Sequence, residues 1–229
     1  MTRLISRRHV LGSAAAVSAV ALLSACSDSS GTAQAQTSTS AASAPSAAGT
    51  VDMDKLLEEG SLPDQVLGEA DAPVTIVEYA SMTCGHCANF HRNTLPEIKK
   101  NYIDTGKARL IMREFPFDPR AEAGFMLARC ADDKYFAMVD VLFQQSGNWV
   151  PVDDARGALL QISRLAGFSQ ESFEACLTNQ QLLDDVRAVR QRGATDFGVD
   201  ATPTFFINGN KYSGALTVAE MSAIIDSML

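Results

Sequence analysis

Val74-Thr75-Ile76-Val77-Glu78-Tyr79, followed within six residues by Cys84-Gly85-His86-Cys87, is the stretch on which the fold turns. Its first half is rich in β-branched residues and predicts a largely buried strand. Its second half opens a helical stretch through about Lys100 that carries Phe90, Leu95 and Ile98. A second strand is expected from Arg109 to Phe115, stopped by Pro116. Strand, helix and strand at this spacing make a βαβ unit, with the two strands parallel and the crossover right-handed.

Residues from about 119 to 198 carry helical patterns without a strand signal, broken near Gly147-Asn148, Gly167 and Asn179. Beyond them, Thr204-Phe205-Phe206-Ile207 and Lys211-Tyr212-Ser213 flank Asn208-Gly209-Asn210, and Asn-Gly between short strands is a hairpin signal. Thr217 to Met228 closes the chain with Val218, Met221, Ile224, Ile225 and Met228 at helical spacing, and with Thr217 as N-cap three residues before Glu220. The expected order is βαβ, then a helical insertion, then ββα.

A pair of cysteines two residues apart builds zinc sites and structural bridges as well as redox centres. Position narrows the choice. At the start of a helix, free N–H groups and the macrodipole favour a thiolate on Cys84. A drop in thiol pKa from about 8.5 to about 5 is worth roughly 5 kcal/mol to the anion. Cys84 is therefore the expected nucleophile and leaving group, and Cys87, one turn further in, the resolving thiol.

This arrangement over about residues 65–229 resembles the DsbA-like thiol:disulfide oxidoreductases of the thioredoxin superfamily. The fold implied is α/β: a thioredoxin fold (βαβ + ββα) with an inserted all-helical subdomain at 119–198, its thioredoxin parts being 51–118 and 199–229. Three features carry the resemblance beyond the cysteines: Val77-Glu78-Tyr79 before the motif, the long helical insert, and Thr202-Pro203-Thr204 before the hairpin. It implies that Pro203 is cis and faces the cysteines, and that the backbone of Thr202 pairs with an extended substrate segment. It also implies a role for Glu78, six residues before the first cysteine, as the acid that takes the Cys87 proton. Glu78 shares a strand face with Val74 and Ile76; the alternative is a strand-end carboxylate reaching solvent.

Between the cysteines stands Gly85-His86, where DsbA proteins usually have Pro-His and protein disulfide isomerases have Gly-His. His86 is expected to interact with the Cys84 thiolate, and Gly85 removes the rigidity that proline gives. The two family poises differ by about 60 mV, roughly 2.8 kcal/mol for a two-electron couple. Oxidation is the expected direction; the alternatives are an isomerase or reductase kept in the dithiol form and, more distantly, a tethered binding module without catalysis. A metal site would use Cys84, Cys87, His91 and His86, with His91 otherwise a helix-surface residue. No cofactor is expected.

Cys130 lies on an apolar helix face with Cys176 as its expected partner, like the second bridge of some DsbA-like proteins; two buried free thiols are the alternative. The odd fifth cysteine is Cys26. Residues 1–25 read as an export signal, with Ser6-Arg7-Arg8-His9-Val10-Leu11 resembling the twin-arginine pattern and Leu23-Ser24-Ala25-Cys26 resembling a lipobox that lipidates Cys26. Cleavage after Ala33-Gln34-Ala35 would instead release a soluble periplasmic protein. Residues 26–50, almost all Ser, Ala, Thr, Gln and Gly, are expected to form a flexible tether. The location implied is the periplasm or the outer face of the membrane, touched only through the lipid.

With 229 residues, 46% hydrophobic and 20% charged, the chain suits one domain with a subdomain. Its net charge of −8, more acidic still without Arg3, Arg7 and Arg8, repels nucleic acid. No Gly-rich phosphate loop is present. The expected partners are exported proteins with free cysteines and, by the resemblance, a DsbB-like quinone-linked membrane reoxidant, or a membrane reductant for the isomerase reading. A monomer is expected.

Overall fold

The computed structural model describes residues 44–229. The expected export signal, the lipobox at Cys26 and most of the tether lie outside the described residues. At its centre are two parallel strands, β3 (Val74–Ala80) and β4 (Ala108–Glu114), in register from Val74 opposite Ala108 to Ala80 opposite Glu114. β3 also pairs antiparallel with β5 (Thr204–Ile207), which forms a hairpin with β6 (Asn210–Ser213) through Asn208 and Gly209, both at positive φ. With β1 (Gly49–Thr50) and β2 (Gln65–Leu67) at its two edges, the full order is β1-β6-β5-β3-β4-β2.

The two outer strands were not expected. β1 (Gly49–Thr50) pairs with Lys211 and Asn210 of β6, so the last two residues assigned to the tether belong to the sheet. A short helix α1 (Met53–Leu57), capped by Asp52, follows and buries Leu56. β2 (Gln65–Leu67) then pairs antiparallel with Met112 to Leu110 of β4. β4 itself begins and ends one residue before its expected bounds, although the Phe115 N–H still donates to the Ala80 carbonyl at 2.7 Å.

Helix 85–103 crosses between β3 and β4 and extends past the expected end at Lys100. It is not uniform. The α-helical segments α2 (Gly85–Asn89) and α3 (Leu95–Ile98) are each followed by a π-helical turn, Phe90–Thr94 and Lys99–Ile103. Pro96 has no N–H to return to the preceding turn, and a widened turn ahead of it absorbs the missing bond. The widening also sets the direction of the side chains it contains, among them His91.

The insert runs through α4 (Pro119–Arg129), α5 (Tyr135–Gln144), the short α6 (Ser146–Trp149), α7 (Ala155–Leu165), α8 (Gln170–Leu177) and α9 (Gln180–Phe197). A last helix, α10 (Val218–Asp226), starts at a reciprocal capping box between Thr217 and Glu220. Apolar side chains sort by strand parity. Val74 and Ile76 face Phe90, Ile98, Ile224 and Ile225, whereas Val77 and Tyr79 face Phe115, Phe197 and Phe206. A third cluster, built on Phe125, Leu142, Phe143, Trp149 and Phe173, reaches to Met82 and Cys87. The insert and the cysteine motif thus share one core. Where α9 meets the sheet, Gly193 lies so close to Tyr79 that a Cβ there would stand 2.6 Å from the ring.

Candidate active site

Cys84 is the N-cap of α2, at the end of a turn whose Cys84 N–H donates to the Ser81 carbonyl at 3.0 Å. The residue before it, Thr83, donates its hydroxyl to Asp118, the N-cap of α4, at 2.5 Å. One contact therefore ties the motif's turn to the first helix of the insert. Cys84 is partly exposed and Cys87 fully buried, and both are free thiols.

Their chemistry diverges because their surroundings do. The Cys84 thiol is pulled down to about 5, first by the hydrogen bond from the Cys87 thiol, against partial burial, and then by the Thr202 hydroxyl and the N–H groups of Cys87 and His86. The Cys87 thiol is pushed far up by burial, by its hydrogen bond to Cys84 and by the negative charge of Glu78. One sulfur is an anion at neutral pH. The other keeps its proton until something takes it.

The peptide bond Thr202–Pro203 is cis, and the Thr202 carbonyl lies 3.3 Å from Cys84 Sγ. Beside the sulfur, a shallow cleft is lined by Thr83, Cys84, Gly85, Gly147, Val150 and Pro151. Gly85 is exposed and has open space where a Cβ would stand. His86 differs from expectation: its ring is exposed, and what it supplies to Cys84 is its backbone N–H.

Glu78 is wholly buried, so the solvent-reaching alternative is excluded. Its Oε2 lies 3.0 Å from His91 Nε2, while its Oε1 is buried without a hydrogen-bond partner. His91 is the second correction. It is 5% exposed, stacked against Phe143 with ring centroids 4.4 Å apart, and therefore not a surface residue. The signal that could have found it is its spacing: His91 stands four residues after Cys87 on the helix, the separation that puts two side chains on one face. The metal alternative loses its third ligand to this ion pair, and among the described residues no group of three or more His, Cys, Asp and Glu side chains is arranged to hold a metal.

Cys130 and Cys176 are joined, with Cα atoms 6.2 Å apart, linking the end of α4 to α8. A separate polar cavity lies against Asp64, Tyr79, Arg113, Glu114 and Arg129. Two ion pairs line it, Arg113 with Asp64 at 2.8 Å and Arg129 with Glu114 at 2.6 Å.

Comparison with known proteins fits this geometry. The thioredoxin family pattern matches residues 61–227. The crystal structure of Wolbachia pipientis alpha-DsbA1 superposes with a TM-score of 0.71 at 33% identity, covering 77% of this chain and 96% of that one. The chain belongs to the thioredoxin family, in its DsbA-like branch. Among sequence relatives, a Rickettsia felis protein provisionally named protein-disulfide oxidoreductase is 33% identical over 168 residues, 72% of this chain. The match spans 60% of that relative's length. BdbD from Bacillus subtilis shares the fold at 19% identity and a TM-score of 0.63. In this DsbA-like chain the thioredoxin halves carry the cysteine turn and the Thr202–Pro203 bend, and the insert, whose first helix is capped by Asp118, supplies Phe143 and the far wall of the cleft. Among the described residues no helix is long and apolar enough to cross a membrane.

Proposed function

We propose that this DsbA-like protein is a thiol:disulfide oxidoreductase that passes the Cys84–Cys87 disulfide to exported proteins with free cysteines. The observation that carries this reading is the contrast between the two sulfurs: Cys84 held down to about 5 and Cys87 held up as a thiol. A substrate thiolate attacks Cys84 Sγ, the Cys84–Cys87 bond breaks, and Cys87 leaves and takes a proton. A second substrate thiolate then attacks the substrate sulfur bound to Cys84. The substrate disulfide forms, and Cys84 departs as a stabilised anion with the electron pair. Two electrons have moved from substrate to enzyme, and the dithiol must be reoxidised.

Catalytic roles fall to Cys84, Cys87, Glu78 and Pro203, with His86 contributing its N–H. Glu78, through Oε1, exchanges the proton of Cys87. Thr202, Pro203 and the open flank at Gly85 bind the substrate segment, which lies between the Thr202 backbone and the cleft toward Val150. Reoxidation falls to a DsbB-like quinone-linked membrane protein. The site of action is the periplasm or outer membrane face, with Cys26 as a lipid anchor and residues 26–48 as its tether.

A low Cys84 pKa stabilises the dithiol form and makes the disulfide a strong oxidant. Equilibration with glutathione is therefore expected to give a potential of about −120 to −180 mV. The second reading, an isomerase or reductase maintained as the dithiol, draws on Gly85-His86, the dipeptide of protein disulfide isomerases, which still leaves net oxidation favoured. A potential near −270 mV, typical of a thioredoxin-like reductant, would overturn the oxidase assignment and support that second reading.

A further inference from the structure

The Glu78–His91 pair is built with more care than a structural ion pair needs. His91 sits in the widened turn Phe90–Thr94, one turn beyond Cys87 on the same helix. Its Nε2 meets Glu78 Oε2 at 3.0 Å, its ring stacks on Phe143, and its Nδ1 points to Asp140 Oδ1 at 3.9 Å. Asp140 lies on α5 with its side chain 52% exposed, whereas the other two side chains are sealed from solvent. The separation at Nδ1 is too long for a direct hydrogen bond, and Asp140 acts on the ring there through its charge. Two buried polar atoms are left without a hydrogen-bond partner, Glu78 Oε1 and His91 Nδ1. Glu78 lies near enough to Cys87 to act on its thiol, and Nδ1 is the ring atom nearest Asp140.

We propose that His91 is a positioning residue for disulfide exchange, holding Glu78 by Oε2 so that Oε1 serves Cys87, and keeping on its ring, beside Asp140, the proton that this carboxylate exchanges. This rests on the oxidoreductase reading and deepens it. Burial alone would strip the ring of its proton, but Glu78 and Asp140 lift it to about 9, so the ring holds its proton at neutral pH. The charged and titratable groups facing the pair are Cys87 on its own helix, Asp140 and Tyr135 on α5, and Glu78 itself on β3.

Proton movement then balances. When an incoming thiolate opens the Cys84–Cys87 bond, a bond forms between its sulfur and Cys84, and the released electron pair stays on Cys87. The Nε2 proton of His91 passes to Glu78 Oε2, the carboxylic acid so formed turns about its Cγ–Cδ bond and gives that proton to Cys87, and the ring is left neutral with its other proton on Nδ1 facing Asp140. In the reverse direction the same chain draws the Cys87 proton out as that thiol attacks a mixed disulfide.

The test uses the full chain in five forms: wild type, Glu78→Gln, His91→Gln, the double variant, and Asp140→Asn. Each oxidised protein is opened with glutathione from pH 5 to 9, quenched in acid and scored by thiol labelling and mass. Expected are losses of about 10- to 100-fold near pH 7 for Glu78→Gln and His91→Gln, each with an altered pH profile. The double variant is no slower than Glu78→Gln, and Asp140→Asn loses about threefold. A His91→Gln profile of unchanged shape, or losses that multiply in the double variant, would overturn the proposal. If His91→Gln fails to fold, NMR of the wild-type ring decides: an imidazolium at pH 7 whose signals shift between oxidised and reduced protein supports it, and a neutral ring contradicts it. A wild type inert to glutathione would bring down the oxidoreductase reading as well, whereas a reactive wild type with an unaltered variant profile brings down this inference alone.

Discussion

Replacing Cys84 by serine is expected to reduce disulfide transfer to a dithiol peptide to the uncatalysed level, a loss of at least about a thousandfold. A serine hydroxyl in the same turn remains protonated and cannot form the mixed disulfide. The donors converging on the sulfur, from Cys87, Thr202 and the helix N–H groups, then have no anion to stabilise. Replacing Cys87 by serine is the informative contrast. It leaves the nucleophile in place and removes only the thiol that resolves, so a substrate offered as its disulfide should be attacked by Cys84 and accumulate as a mixed disulfide that survives denaturation without reductant. If the Cys84→Ser protein still oxidised the peptide at the wild-type rate, the assignment of roles to the two sulfurs would be wrong.

The second large effect falls on stability. Replacing Cys130 and Cys176 together by alanine removes a crosslink over a sequence separation of 46 residues. The chain-entropy relation assigns such a loop about 4 kcal/mol. In a protein of this size that corresponds to a fall in Tm of roughly 8 to 16 °C. The bridge joins α4 to α8 beneath the cluster of Phe125, Phe143 and Phe173, so the loss concerns the insert, while the turn holding Cys84 stays formed. Thermal unfolding of the variant against wild type, both oxidised, measures this directly. A Tm within about 2 °C of wild type would mean that the core of the insert holds without its staple.

What the sequence disclosed and what it hid follow from the range of the interactions. Val74 to Tyr79, the cysteine turn, Asn208-Gly209 and the Thr217 capping box are local signals, and each element they announce is present within a few residues. β1 and β2 escaped because Gly49-Thr50 and Gln65–Leu67 bury little and exist through backbone pairing with strands far along the chain. Glu78 was legible by strand parity: a carboxylate on the face of Val74 and Ile76 must be paired or used. His91 was hidden because its identity reads as surface. Its partner comes from β3, and the π-helical turn that aims it follows from Pro96 only once the helix is known to continue through that proline. The identity of His86 drew attention to its ring, whereas its contribution to Cys84 is an N–H that any residue there except proline would offer.

Holding Cys84 as an anion is the claim on which the rest depends, and it also carries a stability signature. A thiol with its folded pKa depressed stabilises the reduced protein fully above the unfolded thiol pKa, and that contribution is lost as pH falls through about 5. The most direct measurement is the thiolate absorbance of the reduced protein, followed from pH 3 to 9 alongside the rate of Cys84 alkylation. Both are expected to titrate with a common midpoint near 5. A single midpoint between pH 8 and 9, that of an ordinary thiol, would contradict the account.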